Sequence, residues 1–219
     1  MVPLEILFED EWLVAINKPA GHLVHPADEP QPDDLVAMKI LRDQINCRVH
    51  TVHRIDRPTC GVLLFGKDLE ISKVMHRQFE NREVEKIYTA IVEGVPSELS
   101  WVNQTPLRKD DRSKLLSAKT EFTLIESFER DGERVSVIEA KPESGRFHQI
   151  RKHIAADGFP ILCDYRYAGI ERSDQLSEIF QLEQKMQLQA SSLSFSHPVT
   201  KKVEQISCGK LKLIEALEA

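Results

Sequence analysis

The chemistry in this chain concentrates in His53-Arg54-Ile55-Asp56-Arg57-Pro58-Thr59-Cys60-Gly61, which runs straight into the apolar stretch Val62-Leu63-Leu64-Phe65. An aspartate lies between two arginines, in a turn, just ahead of a buried strand. A carboxylate held between fixed cations stays ionised. At a strand edge it can face a substrate as nucleophile or base. The arginines suit contacts to phosphate or to a nucleobase. A surface ion pair that caps a turn fits this stretch equally well, so a second observation is needed.

That observation is Ser144-Gly145-Arg146-Phe147-His148-Gln149-Ile150-Arg151-Lys152-His153, a polar, basic segment that starts a helix. With Lys18-Pro19-Ala20-Gly21 and Lys86-Ile87-Tyr88-Thr89-Ala90 it resembles the pseudouridine synthases of the RluA family. In that family the nucleophile segment reads H-R-L-D-x-x-T-S-G-L/V-L, and a later one reads T-G-R-x-H-Q-I/L-R-x-H. The likeness runs from about Ile6 to Pro198, with four motifs in the family's order.

The resemblance implies an enzyme that cleaves the glycosidic bond of a uridine, rotates the uracil and rejoins it through carbon. That reaction takes no cofactor and no metal. A uracil inside a duplex is out of reach, so the nucleotide must be flipped out of its stack. Asp56 matches the essential aspartate, as nucleophile at C1′ or base at C2′. Tyr88 matches the active-site tyrosine, stacked on the uracil and placed to help deprotonate C5. A tyrosine hydroxyl ordinarily titrates near ~10, so a direct base role needs a neighbouring cation. Arg151 matches the residue whose bidentate fork pairs with the aspartate. Lys152, about 100° further round the helix, suits a phosphate instead. Arg54 matches the arginine that fills the gap left by the flipped nucleotide. His53, Arg57, Arg146, His148 and Gln149 are polar cleft candidates. Thr59 closes the turn, and Lys18 is either a phosphate contact on the early loop or a solvated charge. The chain departs from the family wording at Ile55, Cys60, Phe159, Cys163 and Gln189, none of them a catalytic position.

Composition sets the frame. The chain has 219 residues and a net charge of −6, which argues against RNA until its distribution is considered. Residues 1–34 hold eight acids and one base, Lys18, whereas the rest carries 27 acids against 28 bases. Residues 48–57 and 146–153 contain no acid but Asp56. RNA binding requires a local positive surface, not a positive total. The expectation is a basic cleft on an acidic body, with salt-sensitive binding. Cys47, Cys60, Cys163 and Cys208 form no C-x-x-C pair, so reduced thiols are expected rather than zinc ligands or disulfides. Met1-Val2-Pro3-Leu4-Glu5 lacks the marks of a secretory signal, and no apolar run is long enough to span a membrane. A cytoplasmic protein follows as the default.

The elements that must carry these residues are short. Glu5–Phe8 and Trp12–Ile16 read as strands, and Pro26–Pro32 as a loop. Leu35–Ile45 has helical spacing, capped by Asp33 or Asp34, with Leu35, Met38, Leu41 and Ile45 on one face. Asp68 caps a helix presenting Ile71, Val74, Met75 and Phe79. Ile87–Val92 is a strand with Tyr88, Ala90 and Val92 on one side. Pro106–Ser117 is an exposed loop or hairpin, and Thr120–Ile125 and Arg134–Ala140 form a hairpin around Asp131-Gly132. His148–Ala156 is a helix closed by Gly158, Ser173–Met186 another, and Leu188–Phe195 and Val203–Ser207 are late strands. The pattern predicts an α+β fold on a mostly antiparallel sheet. The resemblance adds a mixed, bent sheet with flanking helices and a central cleft, a single catalytic domain over residues 1–219 without an S4 domain, and a monomer.

Two other readings fit the same residues. One is a non-catalytic RNA-binding or ribosome-assembly protein on the same fold, which would be expected to lose Asp56, Tyr88 or Arg151. The other is a carboxylate hydrolase, which needs a second acid near Asp56. Asp68 and Glu70 are the nearest downstream. Among family members, Asp56-Arg57-Pro58-Thr59 is most similar to those acting on a T-stem uridine of transfer RNA, with large-subunit ribosomal RNA next.

Overall fold

The computed structural model describes residues 2–29 and 31–218, so Met1, Ala219, and Pro30 in the Pro26–Pro32 loop, lie outside the described residues. The chain forms two compact units, Met1–Lys86 with Ala190–Gly209, and Ile87–Gln189 with Lys210–Ala219.

In the first unit, β1 (Glu5–Glu9) pairs antiparallel with β2 (Leu13–Lys18), and β2 pairs with β4 (Cys60–Gly66). The two-residue β3 (His50–Thr51) adds to β4. The next strand, β9 (Leu188–Ser196), carries the antiparallel β10 (Val203–Ser207). Leu63, Leu64 and Phe65 are fully buried, each contributing on the order of 2 kcal/mol of apolar burial. Gly61 has a structural reason to be glycine. Its φ is +107°, and a Cβ there would lie 2.3 Å from the Ala190 carbonyl oxygen.

Helix α2 (Leu69–Glu80) forms as its sequence requires. The Asp68 carboxylate accepts from the Glu70 and Ile71 N–H groups, and Met75 is buried in the unit's core with Leu64 and Val62. Helix α1 differs from expectation. It spans Ala37–Ile45 and buries Ala37, Ile40 and Leu41, while Leu35 is exposed. Val36 is drawn into a parallel bridge with Leu23 and is extended, so the helix starts only at Ala37 and the buried face rotates. Asp34 does not cap the helix; its carboxylate accepts from the Gln31 N–H.

In the second unit, β5 (Glu85–Glu93), β8 (Glu133–Pro142), β7 (Thr120–Arg130) and β6 (Ser100–Asn103) form an antiparallel array in that order. The β7–β8 hairpin turns at Asp131 and Gly132, both with positive φ, the type I′ geometry that an Asp-Gly pair favours. Helix α3 (Gln149–Ala156) ends with Asp157 as its cap and Gly158 beyond it at φ +92°. Its Ile150 and Ile154 pack with Ala90, Val92, Ile138 and Ala140, against which Tyr88 also lies.

The helix expected over Ser173–Met186 is instead α4 (Ile170–Phe180). Gln181, Glu183 and Gln184 adopt left-handed backbone, and the Gln184 N–H turns back to the Ser177 hydroxyl. A short helix α5 (Lys212–Glu218) closes the chain. The architecture is α+β on a mostly antiparallel sheet. Among the described residues no helix is long and apolar enough to cross a membrane.

Candidate active site

Asp56 sits in a turn that several segments pin in place. The Thr59 N–H donates to the Asp56 carbonyl at 3.1 Å, closing the turn. The Arg57 carbonyl accepts from the Gly21 N–H at 2.8 Å and from Lys18 Nζ at 3.2 Å. In return Arg57 Nε donates to the Gly21 carbonyl at 3.0 Å, and its Nη1 meets the Asp34 carboxylate at 3.2 Å. Arg57 therefore works as a strap between its own turn and the 18–22 loop. Burial alternates along the approach: Ile55 is enclosed, Arg54 exposed and Asp56 half-buried. Among the described residues the Arg54 side chain has no hydrogen-bond or ion-pair partner, so its guanidinium is available to a substrate.

Lys18 corrects the sequence reading. It is fully buried, opposite Gly61 at the end of β2, and its Nζ donates to the carbonyls of Pro19, His22 and Arg57 at 2.9, 2.9 and 3.2 Å. A phosphate cannot use a cation already spent on three backbone acceptors in the interior. Burial lowers its pKa to about 8, partly offset by the charges of Cys60 and Asp56. Lys18→Met is expected to strand buried carbonyls at a cost of about 2–4 kcal/mol and to loosen the Asp56 turn. Denaturant titration and single-turnover rates check both effects.

His53 is likewise internal in its role. Its Nε2 accepts the Leu64 N–H at 3.0 Å, and its ring stacks on Phe79 with centroids 4.5 Å apart. Enclosure, with the Lys86 charge, holds its pKa down to about 3. Between that value and the ordinary 6.5 the unfolded chain takes up a proton that the native ring refuses. Stability is therefore complete above 6.5 and falls as pH drops towards 3, at up to ~1.4 kcal/mol per pH unit from this group. His53→Gln, which keeps an acceptor for Leu64, should flatten the loss between pH 6.5 and 4 in denaturation curves. The carboxylates suggested for hydrolysis are otherwise occupied, Asp68 as the α2 cap and Glu70 in a 2.7 Å pair with Lys73.

In the second unit, Arg151 is buried and its fork grips Asp164, with Nε and Nη2 donating at 2.7 and 2.8 Å. Asp164 was not among the residues singled out from sequence. It is itself buried, and it follows Cys163, held at φ +59° where a glycine would be at ease. The Arg151 guanidinium also lies 5.1 Å from the Tyr167 ring centroid. The Tyr167 hydroxyl in turn meets His148 Nδ1 at 3.0 Å. His148 is a left-handed residue at the start of α3, with its ring stacked 3.7 Å from that of Phe147.

Gln149 is a second correction. It is buried, its Oε1 accepts from the Ser144 hydroxyl and the Arg146 N–H, and its Nε2 donates to the Lys119 carbonyl and the Thr120 hydroxyl. All its capacity is internal, so it builds the loop rather than binding a ligand. Arg146 is half-buried, with Nε on the Ser117 carbonyl at 3.2 Å. Lys152 donates to the Arg108 carbonyl at 2.6 Å and lies 5.3 Å from the Phe147 ring centroid. Among the described residues no group of three or more His, Cys, Asp or Glu could hold a metal ion.

The model of the RNA pseudouridylate synthase family matches residues 12–156. The tRNA pseudouridine synthase C of Haemophilus ducreyi is 38% identical over 213 residues, covering 90% of this chain and 87% of its own. That of Vibrio cholerae is 35% identical over 224 residues, covering 94% and 91%. The structure of human RNA pseudouridylate synthase domain containing 1 shares the fold, with a TM-score of 0.78 at 21% identity over 100% of this chain and 98% of its own. This chain belongs to the RNA pseudouridylate synthase family, isomerases that convert uridine in RNA to pseudouridine.

Proposed function

We propose that the protein isomerises a uridine of transfer RNA, with ribosomal RNA the second substrate class to test. One observation carries this: relatives more than a third identical over nine-tenths of the chain are named as transfer RNA pseudouridine synthases. On this reading the protein works in the cytoplasm. We read residues 1–219 as one catalytic domain acting as a monomer, without cofactor.

The reaction is balanced within the nucleotide. The N1–C1′ bond breaks, the uracil turns, a C5–C1′ bond forms, the C5 proton leaves and N1 ends protonated. Nothing is oxidised or reduced. Asp56 acts at the ribose, attacking C1′ or taking the C2′ proton. The half-buried turn supports either role, because it presents the carboxylate from a backbone strapped at Gly21, Lys18 and Arg57. Arg54 takes the place of the flipped nucleotide. Tyr88 stacks on the uracil and assists loss of the C5 proton. Arg151, set by Asp164, supplies positive charge, and Arg57, Arg146, His148 and Lys152 line the path of the RNA.

The test uses RNA labelled with tritium at uracil C5, since forming the C5–C1′ bond releases that label to water. Release from transfer RNA, with ribosomal RNA inert, supports the reading. Release from ribosomal RNA alone would move the assignment to the other substrate class.

A further inference from the structure

A cavity of about 610 Å³ opens in the first unit beside α1, β3 and α2, and none of residues 53–61 lines it. Its wall is cationic in a chain of net charge −6. Lys39 and Arg42, one turn apart on α1, face it with Arg48 and with Lys73 and Arg77, one turn apart on α2. Glu80 is the one acid among its lining residues. Arg42 is paired with Asp43, and Lys73 with Glu70. Among the described residues, the side chains of Lys39, Arg48 and Arg77 have no hydrogen-bond or ion-pair partner. Three uncompensated cations, brought from three segments to one concavity, repel one another until an anion enters. No Phe, Tyr or Trp lines the cavity to stack a base.

We propose that this cavity docks the phosphodiester backbone of the RNA substrate, at a place separate from the Asp56 turn. The inference rests on the reading that the protein acts on structured RNA. A polyanion fits better than a small nucleotide. Successive phosphates reach cations spread over two helices and the segment before β3 at once, and the lack of an aromatic platform leaves only backbone contacts. Such contacts set register and affinity without reading sequence.

The test compares wild type with the triple variant Lys39→Gln, Arg48→Gln, Arg77→Gln, and with a control that removes equal charge elsewhere, Lys185→Gln, Lys202→Gln, Lys212→Gln. All six side chains are exposed, and unchanged circular dichroism confirms folding. Affinity for unfractionated transfer RNA is measured by filter binding from 0.05 to 0.3 M salt, and tritium release is followed at saturating RNA. The proposal expects the triple variant to weaken binding about tenfold or more at 0.1 M salt. Its salt slope should fall by roughly 2–3, with the saturated rate held and the control like wild type.

Wild-type affinity and slope in the triple variant overturn the docking surface. Pyrophosphate binding by calorimetry that the triple variant abolishes, with RNA affinity intact, also overturns it and makes the cavity a small-anion site. If wild type releases no tritium while the triple variant still loses RNA affinity, the catalytic reading fails and the docking surface stands.

Discussion

Asp56→Asn is expected to cut pseudouridine formation to below about 1% of wild type while leaving the fold and RNA affinity in place. If Asp56 takes the C2′ proton, its loss removes a general base worth roughly 10²–10⁴-fold. If it attacks C1′, its loss removes the covalent step itself, because an amide is a far poorer nucleophile than a carboxylate. The fold should survive because the turn is held by backbone groups. The Asp56 carbonyl takes the Thr59 N–H, and the Arg57 carbonyl takes Lys18 and Gly21, all of which asparagine leaves untouched. A second consequence follows from charge. Asp56 helps hold Lys18 in its protonated form, so Asp56→Asn should lower the Lys18 pKa below its value of about 8. Single-turnover tritium release, thermal melting and RNA binding together separate lost chemistry from lost structure.

The second large effect is expected at Asp164. Asp164→Ala leaves the buried Arg151 guanidinium without its bidentate partner, and breaking such a pair from one side costs about 3–5 kcal/mol. Against a typical total of roughly 5–15 kcal/mol, that is a severe loss, readable as a lowered denaturation midpoint. Replacing both partners, Arg151→Met with Asp164→Leu, should recover most of the stability, since no buried charge remains uncompensated. It should not recover activity, because the proposed role needs the guanidinium. Arg151→Lys keeps charge but not the planar fork and should fall between the two. A double variant as stable as wild type and fully active would reduce Arg151 to a packing residue.

What was legible in the sequence depended on where the partners lay. Asp68, Asp131-Gly132 and Gly158 act on backbone within a few residues, and each does what its type and place imply. Most strands followed from alternation and apolar runs, but the short β3 and β6 carry neither pattern and were not read from the sequence. The start of α1 was misread because Val36 is claimed by Leu23, thirteen positions upstream, and the end of α4 because three consecutive-looking polar residues turn left-handed. Lys18 and Gln149 were misassigned for a common reason. A long polar side chain has the same letter whether its acceptor is water, phosphate or the carbonyl of a distant segment. Their acceptors are brought close only by folding, from Arg57 in one case and from Lys119 in the other. Asp164 gave no signal of its own. Its only clue was the family departure at Cys163, where the left-handed backbone marks a tight turn that aims the next side chain at Arg151.

The most direct test of the central claim is pseudouridine mapping on total RNA, by carbodiimide labelling and primer extension. It compares cells with the gene, without it, and carrying only Asp56→Asn. The account predicts that one transfer RNA uridine loses its modification without the gene and stays unmodified with Asp56→Asn. A full complement of pseudouridine in all three strains, with the protein expressed and folded, would contradict it.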